Sequence, residues 1–257
     1  MKVWILTFNR RTALNRQIKF FGELGYDVCV FTNYPTVHIN DDNTQYVKKI
    51  LINTLGDKDC FAWAARSWNN MFIKCFDTED EAIFVQDDTP ILPNIKYIIE
   101  NNKDKYDLIW GPGGDSVFYL KKSLLAKVGW WDERYYGAYC CDADFLVRCW
   151  LNYDQSRLSI EEVWHSWGWI HNPVGMSQIV NIPGRYGNDD DYENQHDQII
   201  KLVGYENFPM VSSQKLFKQK WNTPGNGIDN IGPLIYHITQ PVEEIDWYHW
   251  FTVKYLR

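Results

Sequence analysis

Two adjacent carboxylates close an apolar run at Phe84-Val85-Gln86-Asp87-Asp88-Thr89-Pro90. Hard divalent cations take oxygen ligands, commonly one or two protein carboxylates with water or substrate phosphates completing the shell. A strand ending in Asp87 and Asp88 therefore suits a metal that carries a phosphorylated ligand, and the same Asp-Asp-Thr-Pro residues equally suit a solvated turn. A second acidic pair, Asp142 and Asp144, follows a loop rich in Trp and Tyr. A carboxylate in such a pocket is a natural general acid or base. The competing reading makes Asp142 a helix N-cap and Asp144 the partner of Arg148 one turn on. A third group lies in Trp164-His165-Ser166-Trp167-Gly168-Trp169-Ile170-His171, where extended backbone would put His165, Trp167, Trp169 and His171 on one face. A histidine of this kind is more often a hydrogen-bonded structural residue than a ligand.

The elements that must position these groups alternate between strand and helix. Val3 to Phe8 reads as a strand, Leu14, Ile18 and Phe21 mark a helix, and Tyr26 to Phe31 reads as a second strand. This β-α-β start implies a parallel sheet. Residues 36 to 58 read as a polar connection holding a minor strand, Tyr46 to Ile52. Cys60 to Phe76 is the clearest helix, with Phe61, Ala64, Ala65, Trp68, Met71, Phe72 and Cys75 on one face and Arg66, Asn69, Asn70 and Lys74 largely off it. Glu81 to Val85 reads as a buried parallel strand that Pro90 cannot prolong, so its acids lie at a carboxyl end, where open α/β sheets bind ligands. A helix at Ile95 to Asn101, strands at Tyr106 to Trp110 and Val117 to Leu120, and a helix at Lys121 to Val128 continue the pattern. Gly111-Pro112-Gly113-Gly114 interrupts it as a bend that lets backbone pass close to a ligand or another strand. Another helix begins at Asp142, and Leu158 to Val163 reads as a strand. The fold class is thus α/β.

The 257 residues carry a net charge of −7, which supplies no global field to attract nucleic acid. Aromatic residues form 16% of the chain, and flat rings serve both cores and the gripping of sugars or bases. No apolar run reaches the ~20 residues of a membrane span, and the first apolar run is too short for a signal peptide, so the chain is expected to be cytoplasmic. The six cysteines lack Cys-x-x-Cys spacing and are expected to be reduced and mostly buried.

Taken in order, these features resemble the inverting glycosyltransferases of the GT-A fold, particularly the large family typified by cellulose- and rhamnan-type transferases. The resemblance rests on Thr7-Phe8-Asn9-Arg10 after the first strand, Arg66-Ser67-Trp68-Asn69 before the metal strand, and Gln86-Asp87-Asp88 in place of Asp-x-Asp. It continues with Gly129, Asp132, Glu133, Asp142, Asp144 and Arg148, where Cys141 replaces the usual Glu, then with His165 and with Lys220-Trp221. It covers residues 1 to 222, implying a GT-A domain there and an aromatic-rich C-terminal extension over 223 to 257 that packs on the body. The implied architecture is Rossmann-like, a mixed, mainly parallel sheet flanked by helices.

The same resemblance implies a nucleotide diphosphate sugar donor, with UDP favoured, and Mn²⁺ or Mg²⁺ held by Asp88 and His165. Thr7, Asn9, Arg10, Asn33, Arg66, Asn69, Gln86 and Asp87 would line the donor side. Asp142 would be the general base, oriented by Asp144 and Arg148. Trp130, Trp131, Trp167 and Trp169 would stack on the acceptor, expected to be a glycan or other hydroxylated molecule. The rival acceptor is a hydroxymethylated base of DNA, as in a viral or phage member, with Lys215, Lys218, Lys220, Arg10, Arg11 and Arg16 as local basic patches. A non-catalytic carbohydrate-binding protein is the reading from another class.

Overall fold

The computed structural model describes residues 1–7, 11–32, 37–53, 64–87, 89, 94–111, 116–135, 140–160 and 209–221. The chain divides into two compact units, the first comprising Met1–Lys58, Met71–Lys122 and Ser156–Gln195, the second Asp59–Asn70, Ser123–Gln155 and His196–Arg257.

The first unit is built on a seven-stranded sheet in the order β3-β2-β1-β4-β6-β5-β7. Its strands are β1 (Lys2–Thr7), β2 (Asp27–Thr32), β3 (Val47–Ile52), β4 (Glu81–Gln86), β5 (Leu108–Trp110), β6 (Val117–Lys121) and β7 (Leu158–Ile160). The pairs β1–β2, β2–β3, β1–β4 and β5–β7 are parallel, and β6 alone runs against its neighbours β4 and β5. The expected α/β class and the mixed, mainly parallel sheet flanked by helices are therefore what forms.

Alternation along the strands assigns the two faces of this sheet. Val3, Ile5, Val28, Val30, Ile83 and Val85 turn to one face, where they pack with Leu14, Ile18 and Phe21 of helix α1 (Arg11–Glu23) and Ile95, Ile98 and Ile99 of helix α4 (Ile95–Asn102). On the other face Phe84 stacks on Phe118, Phe118 stacks on Trp110, and Phe72 and Phe76 of helix α3 (Ala64–Phe76) meet Phe84 edge-on. Strands covered on both faces read as unbroken apolar runs. The sheet order turns at β1, whose neighbours are β2 on one side and β4 on the other, and ligands bind outside the carboxyl ends at such a point.

Several boundaries differ from the sequence reading for local reasons. A short helix, α2 (Asp41–Thr44), lies in the stretch read as irregular, and its Asn43 is tied to Asn15 of α1. Gly111 serves strand approach: a Cβ there would lie 2.5 Å from the Val117 carbonyl oxygen, and its own N–H donates to that oxygen at 2.9 Å. Among the described residues the remaining helices are α5 (Lys122–Val128), α6 (Cys141–Asn152) and α7 (Pro209–Trp221), with a 3-10 turn at Gln155–Arg157. Residues 60–63, 161–163 and 223–257, to which parts of the expected helix, strand and extension fall, lie outside the described residues. Cys29, Cys75, Cys140, Cys141 and Cys149 are free and buried, as expected.

Candidate functional site

In the first unit the carboxyl ends of β1 and β4 meet through side chains. The ladder extends one residue past β4, where Asp87 N–H donates to the Leu6 carbonyl at 3.0 Å, and Thr7 Oγ1 donates to Asp87 Oδ2 at 2.7 Å. Asp87 is fully buried, and Gln86 is half-buried beside it. The chain leaving this point is pinned: Gln17 and Arg16 of α1 both donate to the Thr89 carbonyl, and Thr89 Oγ1 donates to the Ser116 carbonyl at 2.5 Å. Asn9, Arg10, Asn33, Asp88, His165, Trp167 and Trp169 lie outside the described residues. Among the described residues no three His, Cys, Asp or Glu side chains gather as a metal site. Of the acids at this strand end the described one is Asp87, a buried carboxylate of the oxygen type that hard cations take, with one oxygen accepting from Thr7.

In the second unit α6 begins with Asp142 and Asp144 in its first turn. The residue before it, Cys140, holds φ +67° with no side-chain cap. That conformation is uncommon for a residue with a side chain and tends to collect at functional sites. The helix starts at Cys141, so Asp142 lies inside the first turn and is not the N-cap.

Asp144 is wholly buried and is the hub of a polar network. Arg148 Nε donates to it at 2.8 Å, Trp221 Nε1 at 2.9 Å and Tyr135 OH at 3.2 Å, and Lys220 Nζ pairs with it at 2.5 Å. Lys220 also reaches Asp132 at 3.5 Å, and Arg134 closes on Asp132 from the other side. Burial alone would lift the Asp144 carboxyl, but Lys220 and Arg148 outweigh it and hold the group below the usual aspartate range. Burial, helped by the charge of Asp144, pushes Asp132 up. Lys220, fully enclosed, is pushed down to about 8 by burial, against the upward pull of its two acids.

Asp142 differs. It is half-buried, no lysine or arginine pairs with it among the described residues, and burial raises its carboxyl above the usual range. Backbone N–H groups of Ala143 and Asp142 itself pull it partway back. A partly accessible carboxylate with a raised pKa is a stronger base than an ordinary aspartate.

Arg66 and Asn69 of α3 meet Glu133 at 3.1 Å each, and Asn69 also brackets the Trp131 backbone, donating to its carbonyl and accepting from its N–H at 2.9 Å. Asn69 is fully buried although its spacing puts it off the apolar stripe, because these bonds satisfy its whole amide. Trp131, expected to stack on an acceptor, is a core ring with 1% exposure, packed on Trp68 and Phe145. Trp130 is half-buried. Lys220, counted toward a basic patch, is consumed inside the network instead, whereas Lys215 is exposed. The roles of Lys220, Tyr135 and Asp132 were missed in sequence; Asp132 and the Lys220-Trp221 pair carried a signal through the resemblance, and it named no partner for either.

No family model and no curated protein matches this chain. Among solved structures, a candidate nucleotide-diphospho-sugar transferase from Desulfovibrio desulfuricans G20 is similar over 48% of this chain at 13% identity with a TM-score of 0.33. The match spans 65% of that protein, and a likeness this slight carries no argument about chemistry.

Proposed function

We propose that the protein is a glycosyltransferase that moves a sugar from a nucleotide diphosphate sugar to an acceptor hydroxyl, with inversion at the anomeric carbon. The observation that carries this reading is the division of labour in the first turn of α6: Asp144 is committed to buried cations while Asp142 stays partly open with a raised pKa. Asp142 would take the acceptor hydroxyl proton as that oxygen displaces the diphosphate, and Asp144 with Arg148 would hold the helix start that presents it. The order of motifs from Thr7 to Trp221 supports the same reading.

Asp88 and His165 would hold Mn²⁺ or Mg²⁺, and Thr7 donates to the neighbouring acid in sequence, Asp87. Such a cation, when bound, neutralises a leaving diphosphate. Arg66 and Asn69 would act on the donor side through the Trp131–Glu133 segment they fix. A glycan acceptor and a UDP-sugar donor are the favoured partners within this reading.

A panel of nucleotide sugars, assayed for donor hydrolysis and transfer, tests it. Transfer should vanish in excess chelator and return with Mn²⁺ or Mg²⁺. Full activity in chelator would remove the metal role from Asp88 and His165, and no turnover of any donor would favour a binding protein.

A further inference from the structure

A second feature of the first unit adjoins the chain leaving β4, through the bond from Arg16 to the Thr89 carbonyl. A cleft of roughly 610 Å³ opens between α1 and α2, walled by Arg11, Arg16 and Lys19 of α1 and by Asn40, Gln45 and Tyr46. We propose that this cleft binds an anionic saccharide, a sugar that carries a carboxylate or a phosphate group.

Three cations and one carboxylate, Asp42, line it, with Lys19 also 3.9 Å from Glu23, in a chain whose net charge is −7. Such local reversal of sign concentrates anions. Its floor is preset: Asn15, which is buried, donates to the Arg11 and His38 carbonyls and accepts from the Asn40 N–H at 2.7 Å, while Asn43 donates to Asn15 at 3.0 Å. A wall that is already bonded loses little entropy when a ligand arrives. Arg16 is held by the Thr89 carbonyl through Nη2, and its buried Nε makes no hydrogen bond among the described residues. Tyr46 packs over Gly22, where a Cβ would lie 2.2 Å from its ring, so it forms a fixed aromatic border.

The ligand class follows from size and lining. The volume falls within the ~300–1,000 Å³ range of small-molecule sites and far exceeds a bare ion. Amide and phenol groups of Asn40, Gln45 and Tyr46 supply partners for hydroxyls, and guanidinium groups supply paired donors for carboxylate or phosphate. Duplex nucleic acid would need a face of roughly 1,000–2,500 Å² and a run of phosphate contacts, which a single cleft with three cations does not offer.

The test is calorimetric titration of the full chain, without nucleotide and in chelator, with glucose 6-phosphate, glucuronate, glucose and inorganic phosphate at low salt. It therefore stands or falls independently of the transferase reading. At least one anionic sugar should bind, with glucose and inorganic phosphate each roughly tenfold weaker or more. Binding of only one of the two names the anion. Arg16→Gln and Lys19→Gln should each weaken it by roughly three- to tenfold, and added salt should weaken it further. Lys19 is well exposed, so its variant keeps the fold, which thermal unfolding verifies. The proposal is overturned if neither anionic sugar binds, if both variants bind as the wild type does, if inorganic phosphate binds equally well, or if duplex DNA with a steep salt slope is the better ligand.

Discussion

The first turn of α6 has two faces that treat the same chemical group in opposite ways. On the inner face Asp144 is buried among Lys220, Arg148, Tyr135 and Trp221 and is held in its charged form. On the outer face Asp142, two residues earlier, is half-buried, without a cationic partner among the described residues, and its charged form is disfavoured. A helix N-terminus should favour both carboxylates as anions. Burial and the presence or absence of a buried cation therefore outweigh the helix end here. One acid is locked among buried cations, and the other stays partly open.

The comparison breaks most visibly through Lys220. Lys220→Met would leave Asp144 and Asp132 enclosed with one cation fewer, and removing one partner of a buried pair typically costs about 3–5 kcal/mol. Urea unfolding should show that loss. A stability within error of the wild type would mean the network is not closed as described.

The pH dependence separates the two acids by sign. Asp144 has a lowered folded pKa, so its stabilisation is complete above the unfolded value of 3.8 and is lost as pH falls through the folded value. Asp142 has a raised folded pKa, so its ionisation costs stability at neutral pH, and that cost fades as pH falls toward 3.8. Asp142→Asn should therefore melt above the wild type at pH 7, with the advantage shrinking in acid. Asp144→Asn should melt below it, with the deficit shrinking only below 3.8. Equal shifts of one sign would contradict the division.

A smaller effect is expected in the first unit, where the Thr7 hydroxyl donates to the Asp87 carboxylate. Thr7→Val should cost about 1–3 kcal/mol by leaving part of a buried carboxylate without its donor. Thermal unfolding checks it, and no change would make that contact incidental.

Much of this was legible in the chain. The continuous apolar runs at Val3–Leu6 and Ala82–Val85 announce doubly covered strands, and the three-and-four spacing of Trp68, Met71, Phe72 and Cys75 announces α3. The i,i+4 relation of Asp144 and Arg148 also forms as its spacing implies. Helix α7 was not legible, since Pro209–Trp221 is amphipathic only weakly and its burial depends on Lys220 and Trp221 meeting a carboxylate 76 and 77 residues earlier. Trp131 misled because a tryptophan in a polar loop looks available, and its burial follows from contacts with Trp68 and Phe145 that lie far off in sequence. Asn69 misled similarly, because an amide bonded to the Trp131 backbone and the Glu133 carboxylate can be buried where a helical pattern reads polar.

Asp142→Asn removes the proposed proton acceptor, and its transfer is assayed with a donor that the wild type turns over. Transfer should fall by at least ~10²-fold, the scale of lost general base catalysis, while metal-dependent donor binding and folding persist. Near-normal turnover by the folded variant would contradict the account.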